Sequence, residues 1–65
     1  MDVQGLEAFW WIAKTGSFNR AAERLFLTQP SVTARIQALE KELGQQLFER
    51  RPRGVRLTDA GRALL

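Results

Sequence analysis

Apolar residues recur at helical spacing from the first residues of the chain: Leu6, Phe9, Trp10 and Ala13, with Val3 ahead of them on the same side. Asp2 suits the N-cap of this first helix, which is expected to run to about Lys14 and stop at Gly16. Gly5, inside its first turn, weakens the start. On this wheel Trp10 lies close to the stripe, whereas Trp11 points about 140° from Leu6. Trp11 is therefore expected at the surface as a partner contact, and Trp10 inward. Ser17 opens a second, short helix, FNRAAERL, with Phe18, Ala21, Ala22 and Leu25 on its inner face. Its alanines allow another helix to come close.

After the apolar connection Phe26–Leu27, Thr28 caps a third helix, and Pro30 sits in the first turn, where its missing N–H is no loss. Val32, Ile36, Leu39 and Leu43 form its inner stripe, and Gly44 ends it. Past Leu47 and Phe48 the period shortens. FER and VRL read as two strands around the turn RPRG, and Thr58 caps a last helix that Asp59 favours from its first turn. The pattern gives a mostly α domain with a small β-hairpin: three helices, a two-stranded wing and the start of a fourth helix. This is the order of a winged helix-turn-helix.

Composition narrows what such a domain does. In 65 residues there is room for one domain with a small core. The sequence contains neither histidine nor cysteine, so the commonest general base and the thiolate and imidazole metal ligands are missing. No enzyme, cofactor or metal site is expected. The longest apolar run, AFWWIA, is too short to cross a bilayer, and Asp2 stands where a secretory signal would be basic. The expected location is the cytoplasm, at the nucleoid, with no membrane partner. Net charge is only +3, but eight of the ten cations are arginine. Five of them, Arg50, Arg51, Arg53, Arg56 and Arg62, fall together against Asp59 alone. Such a block favours an anionic partner, most often nucleic acid.

The third helix says where that partner would sit. Measured from its inner stripe, Pro30, Ala34, Gln37 and Lys41 point away from the core, with Ser31, Thr33 and Arg35 on the flanks. Its front half is a thin surface of hydroxyls, a methyl and one long cation. That surface fits a DNA major groove, where short side chains reach base edges and thymine methyls. The helix N-terminus directs N–H groups at phosphate. Arg51 and Arg53, at or near the wing tip, can enter a minor groove. Singly, each feature also fits an ordinary helical domain. Their order along so short a chain points to DNA.

From GSFNRAAERL to the C-terminus the sequence resembles the N-terminal winged helix-turn-helix of LysR-type transcriptional regulators. The resemblance rests on Ser17-Phe18, Ala21-Ala22, Gln29-Pro30, Leu39-Glu40, Glu42-Leu43-Gly44, Leu47-Phe48-Glu49-Arg50 and Leu57-Thr58-Asp59-Ala60-Gly61. It implies that Gln29, Pro30, Ser31, Thr33 and Ala34 contact the major groove and that Arg53 reaches the minor groove. The full set of positions expected at the duplex is Ser17, Asn19, Arg20, Thr28, Gln29, Pro30, Ser31, Thr33, Ala34, Arg35, Arg51 and Arg53. One departure stands out. The family often carries Arg directly after the small hydroxyl residue, where this chain has Ala34 and then Arg35. The shift turns the guanidinium by about 100°, from base edge toward phosphate.

The resemblance also divides the chain into a DNA-binding domain, residues 1–58, and the start of a linker helix, residues 59–65. It implies a longer protein that forms a homodimer or higher homo-oligomer through that helix, binds double-stranded operator DNA, and takes a small-molecule effector through a domain absent from this chain. A rival is a winged helix used as a protein-interaction module, with Trp10 and Trp11 as anchors. A basic amphipathic membrane-surface segment is a more distant one, and the hairpin argues against it.

Overall fold

The computed structural model describes residues 2–65. Four helices and one hairpin follow in the order α1 (Val3–Thr15), α2 (Phe18–Leu25), α3 (Gln29–Leu43), β1 (Phe48–Arg51), β2 (Gly54–Leu57) and α4 (Asp59–Leu64). Each expected cap is in place. The Asp2, Ser17, Thr28 and Thr58 side chains accept from the N–H groups of Gly5, Arg20, Ser31 and Gly61, and Gly16 and Gly44 close α1 and α3 in the left-handed conformation. No described helix is long and apolar enough to cross a membrane.

The first three helices pack around Phe9, Ile12, Phe18, Val32, Ile36, Leu39, Leu47 and Phe48, with Ala8, Ala21 and Ala22 between them. The Phe48 ring, at the start of the wing, lies 5.4 Å from Phe9 and 5.9 Å from Phe18 between centroids. One strand residue thereby fastens the hairpin to α1 and α2. The hairpin is antiparallel, with Phe48 opposite Leu57 and Arg50 opposite Val55. The Val55 N–H also donates to the Gly16 carbonyl at 3.3 Å, so the wing is tied to the α1–α2 corner.

In α1 the buried face differs from the expected one. Gly5, Ala8, Phe9 and Ile12 face the core, while Val3, Leu6 and Trp10 are exposed. The small residues decide this. A Cβ on Gly5 would stand 3.6 Å from the Leu39 Cβ, so α1 approaches α3 across its smallest side chains. Gly5 is a close-approach position as well as a weak helix former. The two tryptophans are accordingly inverted. Trp11 is half-buried against the core with the Arg24 guanidinium 5.4 Å from its ring, whereas Trp10 is 46% exposed beneath Lys14. Leu43, expected to complete the α3 stripe, is 37% exposed and lines an open hollow with Leu47 and with Ala60, Ala63 and Leu64 of α4.

The α2–α3 corner holds an unusual residue. Phe26 has φ 58° and is 94% exposed. Its N–H donates to the Glu23 carbonyl and that of Leu27 to Ala22, which is the Schellman closure of a helix. The left-handed conformation costs an ordinary residue roughly 1–2 kcal/mol, and asparagine tolerates it better. Almost no ring area is buried in return. Phe26→Asn is therefore expected to raise stability by about 0.5–1 kcal/mol, a rise of about 4 °C or more in Tm. A melting curve checks this, and a lower Tm would mean that the ring has a packing partner.

Candidate nucleic-acid interface

The front of α3 is open. Pro30, Ser31 and Ala34 are exposed, and Gln29, Thr33 and Arg35 are half-buried on either side of them. Thr28 accepts the Ser31 N–H at 3.3 Å, and the two hydroxyls share a hydrogen bond of 3.0 Å, which fixes both side chains at the helix start. Arg35 and its neighbour Ala34 line a hollow between α3 and the start of α1, together with Asp2, Gln4, Ala38, Leu39 and Glu42.

The start of α2 borders this surface through packing of α2 on α3. The Ser17 hydroxyl accepts the Arg20 N–H at 3.1 Å, and Asn19 and Arg20 are exposed. The first two N–H groups of the helix, on Phe18 and Asn19, have no intrahelical acceptor, as at any helix start.

Cations of the wing and of α4 fall into separate surroundings. Arg51 meets the Glu49 carboxylate at 3.4 Å, and Arg62 pairs with Asp59 while donating to the Leu57 carbonyl at 3.2 Å. Arg53, in the turn, is exposed and has neither a carboxylate nor a ring partner among the described residues. Arg50 has a different role. Its guanidinium lies over the Phe18 ring at 4.0 Å from the centroid. The expected set omits Arg50. A usable signal was present, because strand alternation sets Arg50 on the face of Phe48, away from Glu49 and Arg51.

The base of the wing is held by two side chains. Glu40 accepts the Leu47 N–H at 2.7 Å, and the Thr58 hydroxyl donates to the Gln46 carbonyl at 2.6 Å while accepting the Gly61 N–H at 3.0 Å. These contacts give a physical reason for the Leu-Glu and Leu-Thr-x-x-Gly pairs in the sequence.

The chain belongs to the bacterial regulatory helix-turn-helix proteins of the lysR family, whose model matches residues 3–62. It is 60% identical over 65 residues to an uncharacterized HTH-type transcriptional regulator from the ibpB–leuC intergenic region of Azotobacter vinelandii, covering 100% of this chain and 45% of that protein. Among solved structures it resembles the CbnR DBD–DNA complex, with TM-score 0.96 and 45% identity over 100% of this chain and 75% of that one. It also resembles the BenM DBD in complex with catB site 1 DNA, with TM-score 0.93 and 39% identity over 98% of this chain and 72% of that one. The chain spans less than half the length of the curated relatives it matches.

Proposed function

We propose that this domain binds double-stranded operator DNA in a sequence-specific manner, as the reading unit of a bacterial transcriptional regulator. In this reading the front of α3 enters the major groove, Arg53 reaches the adjacent minor groove, and the start of α2 faces phosphate. The observation that carries it is the open front of α3, where Pro30, Ser31 and Ala34 offer no bulky obstacle. Family membership and the DNA complexes of the CbnR and BenM domains support it. The contact set is Ser17, Asn19, Arg20, Thr28, Gln29, Pro30, Ser31, Thr33, Ala34, Arg35, Arg51 and Arg53, with Arg51 first having to leave Glu49. The domain performs no chemistry and acts at the cytoplasmic nucleoid. A protein-interaction module anchored on both tryptophans fits less well, because Trp11 is half-buried.

Residues 1–58 form the DNA-binding unit in this proposal, and residues 59–65 begin a linker helix. In the longer protein that helix joins two or more copies, and a further domain takes the small-molecule effector.

Titrating duplex DNA across salt concentrations tests the reading. The logarithm of affinity should fall steeply and linearly with that of salt, by about 0.9 per phosphate neutralised. Flat, weak binding at every salt would overturn it. Arg53 and Arg35 should then separate on mutation. Arg53→Ala should cost most affinity on sites flanked by narrow A·T-rich minor grooves. Arg35→Ala should weaken all duplexes alike and reduce the slope by about 0.9. Loss of discrimination at a single base pair in Arg35→Ala would instead make Arg35 a base reader.

A further inference from the structure

We infer that Arg50 is an additional phosphodiester-binding residue, held ready by Phe18 at the junction of α2, α3 and the wing. The inference rests on the duplex-binding reading above and extends it to a residue outside that contact set. Strand alternation turns Arg50 toward the helices, while Glu49 and Arg51 meet on the opposite face of the hairpin. The guanidinium comes to rest 4.0 Å from the centroid of the Phe18 ring. A guanidinium over a ring face keeps its N–H groups in a planar fork that suits a phosphate oxygen pair.

Three surroundings fit this role. Among the described residues Arg50 has no carboxylate partner, unlike Arg51 and Arg62. The ring beneath it belongs to the first residue of α2, so the cation stands beside a helix start whose dipole favours an anion. Thr33, Gln37 and Gln46 line the same groove, whose volume of about 140 Å³ is below that of small-molecule sites. Glu40 also lines it, and its carboxylate accepts the Leu47 N–H at 2.7 Å. Nor can the strand swing away readily, since Val55, opposite Arg50, donates to the Gly16 carbonyl. Because the side chain is already stacked, binding immobilises little that was free, and preorganisation of this kind favours affinity.

A cation resting on a ring could equally serve only to staple the wing to α2, so the test needs a readout that stapling would not move. Wild type, Arg50→Gln and Arg50→Lys are titrated with one high-affinity duplex and one unrelated duplex across salt, and each is melted without DNA. Arg50→Gln should weaken both duplexes by a similar factor, roughly tenfold, and reduce the salt slope by about 0.9. Arg50→Lys keeps the charge without the fork and should retain most of the slope with a few-fold loss. If Arg50→Gln lowers Tm but leaves slope and affinity unchanged, Arg50 is a staple and the inference is wrong. Loss of preference at one base pair with an unchanged slope also overturns it. Wild type that shows no salt-dependent duplex binding would overturn the duplex-binding reading itself, and this inference with it.

Discussion

Replacing Ala34 with glutamate should weaken duplex binding at least a hundredfold while leaving the fold intact. Ala34 is exposed on the outer face of α3, and glutamate is a good helix former, so stability should change by less than about 0.5 kcal/mol. In the proposed complex the new carboxylate would lie in a groove walled by phosphates. Like charges brought together at an interface cost several kcal/mol, and about 1.4 kcal/mol is a factor of ten. Ala34→Gln separates charge from bulk, because it has nearly the same shape without the charge, and it should recover much of the loss. Fluorescence anisotropy on a labelled duplex, beside a melting curve for each variant, measures both quantities. Ala34→Glu binding within about threefold of wild type, well short of the cost of opposed charges, would place the face of α3 outside the groove.

Gly61→Ala should destabilise the domain by about 2–3 kcal/mol through overpacking. In an exposed helix the same change would be stabilising, so the sign is diagnostic. Here α4 crosses the end of β1 with no room for a methyl group. A Cβ on Gly61 would fall 2.3 Å from the Leu47 carbonyl oxygen and 2.8 Å from a Leu57 methyl. Backbone cannot step aside cheaply at Leu47, because its N–H donates to Glu40 and its carbonyl accepts the Thr58 N–H at 3.0 Å. The helix must lift instead, and lifting it strains the Thr58 cap and its bond to Gln46. A core of this size, without disulfide or metal, seldom supplies more than roughly 3–5 kcal/mol. Such a loss should lower Tm by about 10 °C or more. An unchanged or raised Tm would show that α4 does not dock through Gly61.

Much of the fold was legible because its punctuation is local. Asp2, Ser17, Thr28 and Thr58 each cap a helix through a hydrogen bond made within three residues, so the start of every helix can be read from the neighbouring sequence. The inner faces of α2 and α3 were legible for a second reason: apolar residues on them outnumber those elsewhere on the same helices. The face of α1 was not. Apolar residues surround that helix, and the choice between its faces was made by Gly5 and Ala8, whose value lies in the side chain they lack. A pattern that weighs hydrophobic bulk puts Leu6 and Trp10 inside, and close approach to Leu39 puts them outside. Gly61 escaped for the same reason, since its neighbour Leu47 is distant in sequence.

At the candidate interface, the open front of α3 followed from its own inner stripe. For Arg50, alternation gives the face of the strand but not the Phe18 ring, which a different element supplies. Arg51 and Arg53 look alike in the sequence, yet the hairpin pairs Arg51 with Glu49 and leaves Arg53 at the turn. Glu49 and Arg51 stand two residues apart on β1, so strand alternation puts them on one face, whereas Arg53 lies past the end of that strand.

Selection from a random pool of duplexes, carried out with wild type and with Ala34→Gln, tests most directly whether the front of α3 reads sequence. Wild type should enrich a common sequence, and Ala34→Gln should shift the preference at one position of it toward adenine, which glutamine contacts through two hydrogen bonds in the major groove. A pool in which wild type enriches nothing, or the same sequence at every position from both proteins, would contradict the placement of α3 in the groove.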